Sequence, residues 1–297
     1  MADNNWLGTD GTNPTHWSVA ANWENGVPSD TDYVIIGDCT GIGTCTIDGT
    51  SDVSCGSFEL KNNGAFNMNG NGLILKNKNL NNRIIDLGSS ITSATWDGTV
   101  SFIPDASSGT FKIYTHSSET FGTVIFNKAG CTFEQYDHLK AATLTIMAGT
   151  LDTGADHALT AVEIMGAGTL ACNDSTITVN AHGGDIQTII TGAAPTIQGA
   201  WSAGTSTVNL KGTGHKNTQT GSLYNVVVDS SGQTFRMGSD MTINNDLTIT
   251  NGTLTTNSET DGSGSDYWLK VTRDVNINGS SSILTTNASQ VIIGALS

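Results

Sequence analysis

The stretch Val124-Ile-Phe-Asn-Lys-Ala-Gly130-Cys-Thr-Phe133 decides the fold, because it returns 102 positions later as Val226-Val-Val-Asp-Ser-Ser-Gly232-Gln-Thr-Phe235. After a one-residue slip, Leu144-Thr-Ile-Met-Ala-Gly149-Thr-Leu151 matches Leu247-Thr-Ile-Thr-Asn-Gly252-Thr-Leu254, and Trp96 and Trp201 stand upstream in the two copies. A shorter unit recurs inside each copy, as in Val162-Glu-Ile164 with Gly168-Thr-Leu170 and Val275-Asn-Ile277 with Ile283-Leu284. Duplication of short apolar strands between Gly, Asn, Asp and Ser points to stacked β-structure.

Within each unit Leu and Ile alternate with Thr, Glu or Asn, the pattern of a half-buried strand. Strand, glycine turn and second strand, repeated with variable loops, predict an all-β chain folded as a parallel β-helix, or β-solenoid. At roughly 20–25 residues per coil the chain makes about a dozen coils. The competing architecture is a pair of tandem β-sandwich domains, since about 100 residues also suits a sandwich. The expected organisation is an N-terminal segment over 1–38, first coils over 39–95, repeat copy 1 over 96–200 and repeat copy 2 over 201–297.

The opening segment holds Trp6, Trp17 and Trp23, three of the six tryptophans. Such an aromatic cluster can cap the open end of a β-stack or dock a partner. The second repeat carries an insertion from Asn257 to Trp268, so Tyr267 and Trp268 are either a surface contact site or a flap folded back on the stack.

Thirty-five glycines against four prolines suit many tight turns, and 37% hydrophobic residues in regular clusters argue against disorder. The net charge of −15 comes from scattered Asp and Glu, a solvated surface, with calcium binding as the functional alternative. Three arginines (Arg83, Arg236, Arg273) and no basic stripe argue against nucleic acid. No apolar run approaches the ~20 residues of a membrane span. The start Met-Ala-Asp-Asn-Asn-Trp lacks a secretory pattern, so synthesis in a cytoplasm is expected.

Chemistry-bearing motifs are sparse. The histidines (His16, His116, His138, His157, His182, His215) lack metal-ligand spacing, and no nucleophile elbow or phosphate loop is present. No cofactor is expected. Asn67–Gly72 and Asp261–Asp266 faintly resemble calcium loops but lack their carboxylate density, so they read as turns. Among Cys39, Cys45 and Cys55, a disulfide is one reading and free buried thiols the other; Cys131 and Cys172 read as core residues. Paired carboxylates for sugar hydrolysis always exist among 27 acidic residues, so their presence decides nothing.

The opening pattern Trp6…Trp17…Asn22-Trp23…Gly26…Pro28…Asp32-Tyr-Val34 resembles the start of β-solenoid proteins of tailed-phage virions and bacterial surfaces. Leu223–Gly232 and Asp246–Leu254 resemble their repeats. The resemblance implies a non-enzymatic structural protein in a virion (capsid decoration, fibre or spike-like appendage). Its expected partners are other virion proteins and itself, as a homo-oligomer for which a trimer is the guess. Bacterial surface members carry an export signal and an anchoring segment that this sequence lacks, which favours the virion over the cell surface. A glycan-binding adhesin facing host-surface sugars and a polysaccharide-degrading tailspike are the alternatives.

Overall fold

A computed structural model describes residues 2–37, 43–78, 81–116, 118–181, 186–187, 200–212, 215–217, 222–258 and 264–294. The described residues form no α-helix; a single 3-10 turn, Ala20–Asn22, interrupts the strands. Every described pairing between strands is parallel, and this excludes the sandwich, which is built from antiparallel sheets. The chain packs as two compact units, residues 1–151 and 152–297, and each is a β-solenoid stack.

In the first unit each coil contributes three strands. One coil runs Cys45–Thr46, Val53–Cys55 and Ser57–Leu60; the next runs Ala65–Asn67, Leu73–Leu75 and Arg83–Leu87; a third runs Ser93–Thr95, Thr99–Phe102 and Gly109–Tyr114. In-register partners along one column are Val34, Phe58, Ile85, Ile113 and Gln135, spaced 24, 27, 28 and 22 residues apart. All five are buried. Because side chains alternate across a strand, parallel in-register stacking places like against like over every coil, and apolar alternation becomes a continuous apolar column.

Aromatic rings fill the middle of this unit. Phe58 and Phe66 lie 4.9 Å apart, Phe66 and Trp96 5.2 Å, and Trp96 and Phe121 4.8 Å. Phe102 and Phe126, in register on adjacent strands, stack at 4.8 Å with 17° between their planes. Such pairs add about 0.5–1.5 kcal/mol each beyond the area they bury.

The second unit repeats the scheme. Leu159, Ile177, Val208, Val226, Leu247 and Val275 make one column, spaced 18, 31, 18, 21 and 28 residues. The long repeat has a structural counterpart. Strands Phe121–Gln135 and Asn225–Met237 each bend at a glycine with positive φ, Gly130 and Gly232. On the following coils Gly149 and Gly252 bend at φ +87° and +83°. A Cβ at Gly149 would lie 2.4 Å from the Lys128 carbonyl and 2.8 Å from that of Cys131. At Gly252 the distances are 2.2 Å to Ser230 and 2.7 Å to Gln233, the residues 102 positions on from Lys128 and Cys131. Glycine is therefore required twice over, by handedness and by the backbone beneath it. Trp96 and Trp201 do not share an environment: Trp96 is buried among the aromatics, whereas Trp201 is half-buried on the strand Ala200–Ser202.

Cys45 and Cys55 are free buried thiols, as are Cys131 and Cys172; Cys39 lies outside the described residues. Burial raises the pKa of the Cys45 thiol, with the Asp48 carboxylate adding to the effect. Cys55 and Cys172 are raised by the same cause.

Candidate functional site

The opening segment folds onto the first coils. Strand Asp3–Asn5 pairs with Tyr33–Ile36, and the chain then loops out and returns so that Trp6 faces Trp23 in an antiparallel bridge. The loop is held by Asn22, buried within it. Its amide donates to the carbonyls of Asn13 (2.7 Å) and His16 (3.0 Å), and its oxygen accepts from the Asp10 N–H. The Trp23 indole N–H donates to the Trp17 carbonyl at 2.7 Å. Trp23 packs edge-on against both Trp6 and Trp17 at 4.8 Å, and Trp17 reaches Phe66 at 6.3 Å. Trp6, Trp17 and Trp23 are all buried, so their rings form an interior cluster continuous with the aromatic core.

Tyr267 and Trp268 lie where the second unit returns from its insertion, of which residues 259–263 are outside the described set. The Trp268 N–H donates to the Asp240 carboxylate at 3.0 Å, and that of Tyr267 to the Thr256 carbonyl at 2.8 Å. Asn257 donates to Asp266 at 2.8 Å and closes the base of the insertion. Tyr267 is half-buried and Trp268 is 39% exposed, so the indole offers one apolar face outward.

Sequence reasoning missed a third group, on the flank of the first unit. Stacking sets Glu59 beside Asp86 and Asp86 beside Tyr114 on neighbouring strands, with Arg83 beside Lys112. The Tyr33 hydroxyl donates to Glu59, and Arg83 pairs with Asp86. The Arg83 guanidinium lies 4.2 Å from the Tyr114 ring centre, Tyr114 stacks on Tyr136 at 4.8 Å, and the Lys112 ammonium lies 4.7 Å from the Tyr136 centre. Burial opposes the Arg83 charge, but the Asp86 carboxylate outweighs it and its pKa is raised. The Lys112 pKa is raised chiefly by its hydrogen bond to Tyr136. Cations cover ring faces and carboxylates have donors, so the group binds coil to coil through cross-strand pairs. Only spacing could have revealed it, and the spacing varies from coil to coil.

Groups that carry chemistry are arranged as structural ties. Ser18 donates to Asp48 through its hydroxyl, while the imidazole of His16 lies 3.7 Å from the same carboxylate. A serine bound to a carboxylate has not handed its proton to an imidazole base. Among the described residues no group of three or more His, Cys, Asp or Glu is placed to hold a metal ion. In the Asn67–Gly72 segment Asn71 donates to the Ile47 and Met68 carbonyls, and Asn69 adopts a left-handed turn, which is turn chemistry. The loop at 261–266 falls partly outside the described residues. No protein-family model, curated protein sequence or solved structure matches this chain.

Proposed function

We propose that this chain is a non-enzymatic structural protein of a phage particle, serving as a capsid decoration, a fibre or a spike-like appendage. The observation that carries the reading is the use made of the side chains. Apolar and aromatic residues form continuous buried columns, and many of the described charged groups on the flanks pair across coils. Such a molecule is organised to hold its own shape and to present side surfaces to neighbours. The resemblance of the opening and repeat sequences to virion solenoids supports the particle assignment. The net charge of −15 keeps a chain rich in β-edges soluble before assembly.

The test is mass spectrometry of gradient-purified particles alongside cell-surface fractions. Stoichiometric presence in the particle is expected, and its copy number separates a capsid decoration from a rarer tail part. Absence from particles with enrichment at the cell surface overturns the reading.

The exposed face of Trp268 beside Tyr267 favours a second reading, a glycan-binding adhesin. Under it, alanine at both positions abolishes retention on immobilised host glycans while the circular dichroism spectrum is unchanged. Retention by the double variant removes this reading.

A further inference from the structure

We infer that the terminal coil of the second unit is an interface with a second copy of this chain, docked coil against coil about a two-fold axis. The inference stands apart from the particle assignment, since it rests on the end of the stack alone.

Three strands make this coil. Val275–Ile277 pairs with Leu247–Ile249, Ser282–Thr285 with Gly252–Thr255, and Val291–Ile293 with Leu269–Val271. Among the described residues none of the three has a second strand partner, so each presents a row of backbone donors and acceptors along its other edge. The buried columns end here too. Ile277 stacks over buried Ile249 yet is 48% exposed, and Ile293 stacks over buried Val271 yet is 57% exposed. Val275, Leu284 and Val291 continue the columns of Leu247, Leu254 and Leu269 and are only half-buried.

Solenoid ends and sheet edges are normally blunted by charge, proline, a bulge or a covering loop. The first strand of the chain illustrates the last device. The free edge of Asp3–Asn5 is met by residues 24–25, where the Glu24 N–H donates to the Asn5 carbonyl at 3.0 Å and the Asn25 side chain to the Asp3 carbonyl at 2.8 Å. The terminal coil lacks the first two devices: residues 275–297 contain no Asp, Glu, Lys, Arg or Pro.

Charge identifies the occupant. Two molecules of net charge −15 repel, and the repulsion is weakest where neither surface carries charge. Residues 1–60, by contrast, hold nine carboxylates and no Lys or Arg. A partner for the terminal coil must be neutral, apolar at its centre and edged by three strands at the same spacing. A second copy of the same coil meets all three conditions, and a two-fold axis makes the surface complementary to itself.

The full chain is run in sedimentation velocity across roughly 1 to 100 µM, the range in which a modest interface saturates. A concentration-dependent dimer is expected. In the double variant Ile277→Lys with Ile293→Lys, burying like charges face to face weakens association by about 100-fold or more. Both positions are exposed, so circular dichroism and thermal melting of the variant should match the parent. The variant Met147→Lys, at a 50% exposed position in the first unit, should dimerise as the parent does. A monomer at every concentration overturns the inference. So does a dimer that survives the double substitution, or a trimer in place of a dimer.

Discussion

Replacing Gly252 with alanine should destabilise the second unit far more than the same change at Gly232, although the two residues share a strand pair and a backbone handedness. Both have positive φ, +83° and +70°, and an L-residue there costs about 1–2 kcal/mol. At Gly232 that is the whole penalty, because a Cβ would meet no atom within 4 Å. At Gly252 the Cβ would stand 2.2 Å from the Ser230 carbonyl oxygen and 2.7 Å from that of Gln233. Both obstacles are backbone, so no side-chain rotation relieves them and the coils must separate. Forced overpacking of this kind adds about 1–3 kcal/mol. The expected loss is therefore about 2–5 kcal/mol for Gly252→Ala against about 1–2 for Gly232→Ala. For a unit of this size each kcal/mol shifts the melting temperature by about 2–4 °C. Urea unfolding followed by circular dichroism measures the difference, with Gly149→Ala as an independent repeat in the first unit. Equal losses at Gly252 and Gly232 would refute the reasoning, since they would mean that the carbonyls below Gly252 do not confine it.

Three further outcomes are expected. Trp96→Ala removes a buried ring that touches Phe58, Phe66 and Phe121 and whose N–H donates to Glu119 at 3.0 Å; a loss of about 3–5 kcal/mol and collapse of the near-ultraviolet dichroism should follow. Asp30 is held below its ordinary pKa of 3.8, first by the Lys76 ammonium at 2.6 Å and then by the Ser54 hydroxyl. A lowered folded pKa means its stabilisation is present above the unfolded value and is lost as pH falls through the folded one, so Asp30→Asn should flatten the acid limb of the stability curve below about pH 4. An unchanged acid limb would show that solvent screening has cancelled the pair. Cys45, Cys55 and Cys172, buried and with raised pKa, should react with a thiol reagent at pH 8 only as fast as the protein unfolds; peptide mapping that finds them labelled within seconds in the native protein would contradict their placement.

Much of the architecture was legible because parallel stacking reuses one local pattern. Alternation in Leu144-Thr-Ile146 and Leu247-Thr-Ile249 needs no knowledge of distant residues to be read as a half-buried strand. The two matched glycines mark equivalent bends because a bend above a close carbonyl tolerates nothing else. The tryptophans at 6, 17 and 23 were visible as a cluster, but their depth was not. Whether an indole is buried or offered to a partner depends on where the loop returns, and that is set by Asn22 and by the bridge to Trp23.

By itself the sequence determined the class of structure: short strands, glycine bends, a duplicated module and an acidic exterior, all properties of neighbours along the chain. The tertiary structure alone decided which residues meet. Coils of 22 to 28 residues in the first unit follow no fixed period, so nothing in the spacing sets Glu59 beside Asp86, Asp86 beside Tyr114, or Tyr114 on Tyr136. It alone decided, too, that Ile249 is covered and Ile277 is not. Both occupy the same position in the same motif, and burial of an apolar residue depends on whether another coil lies above it.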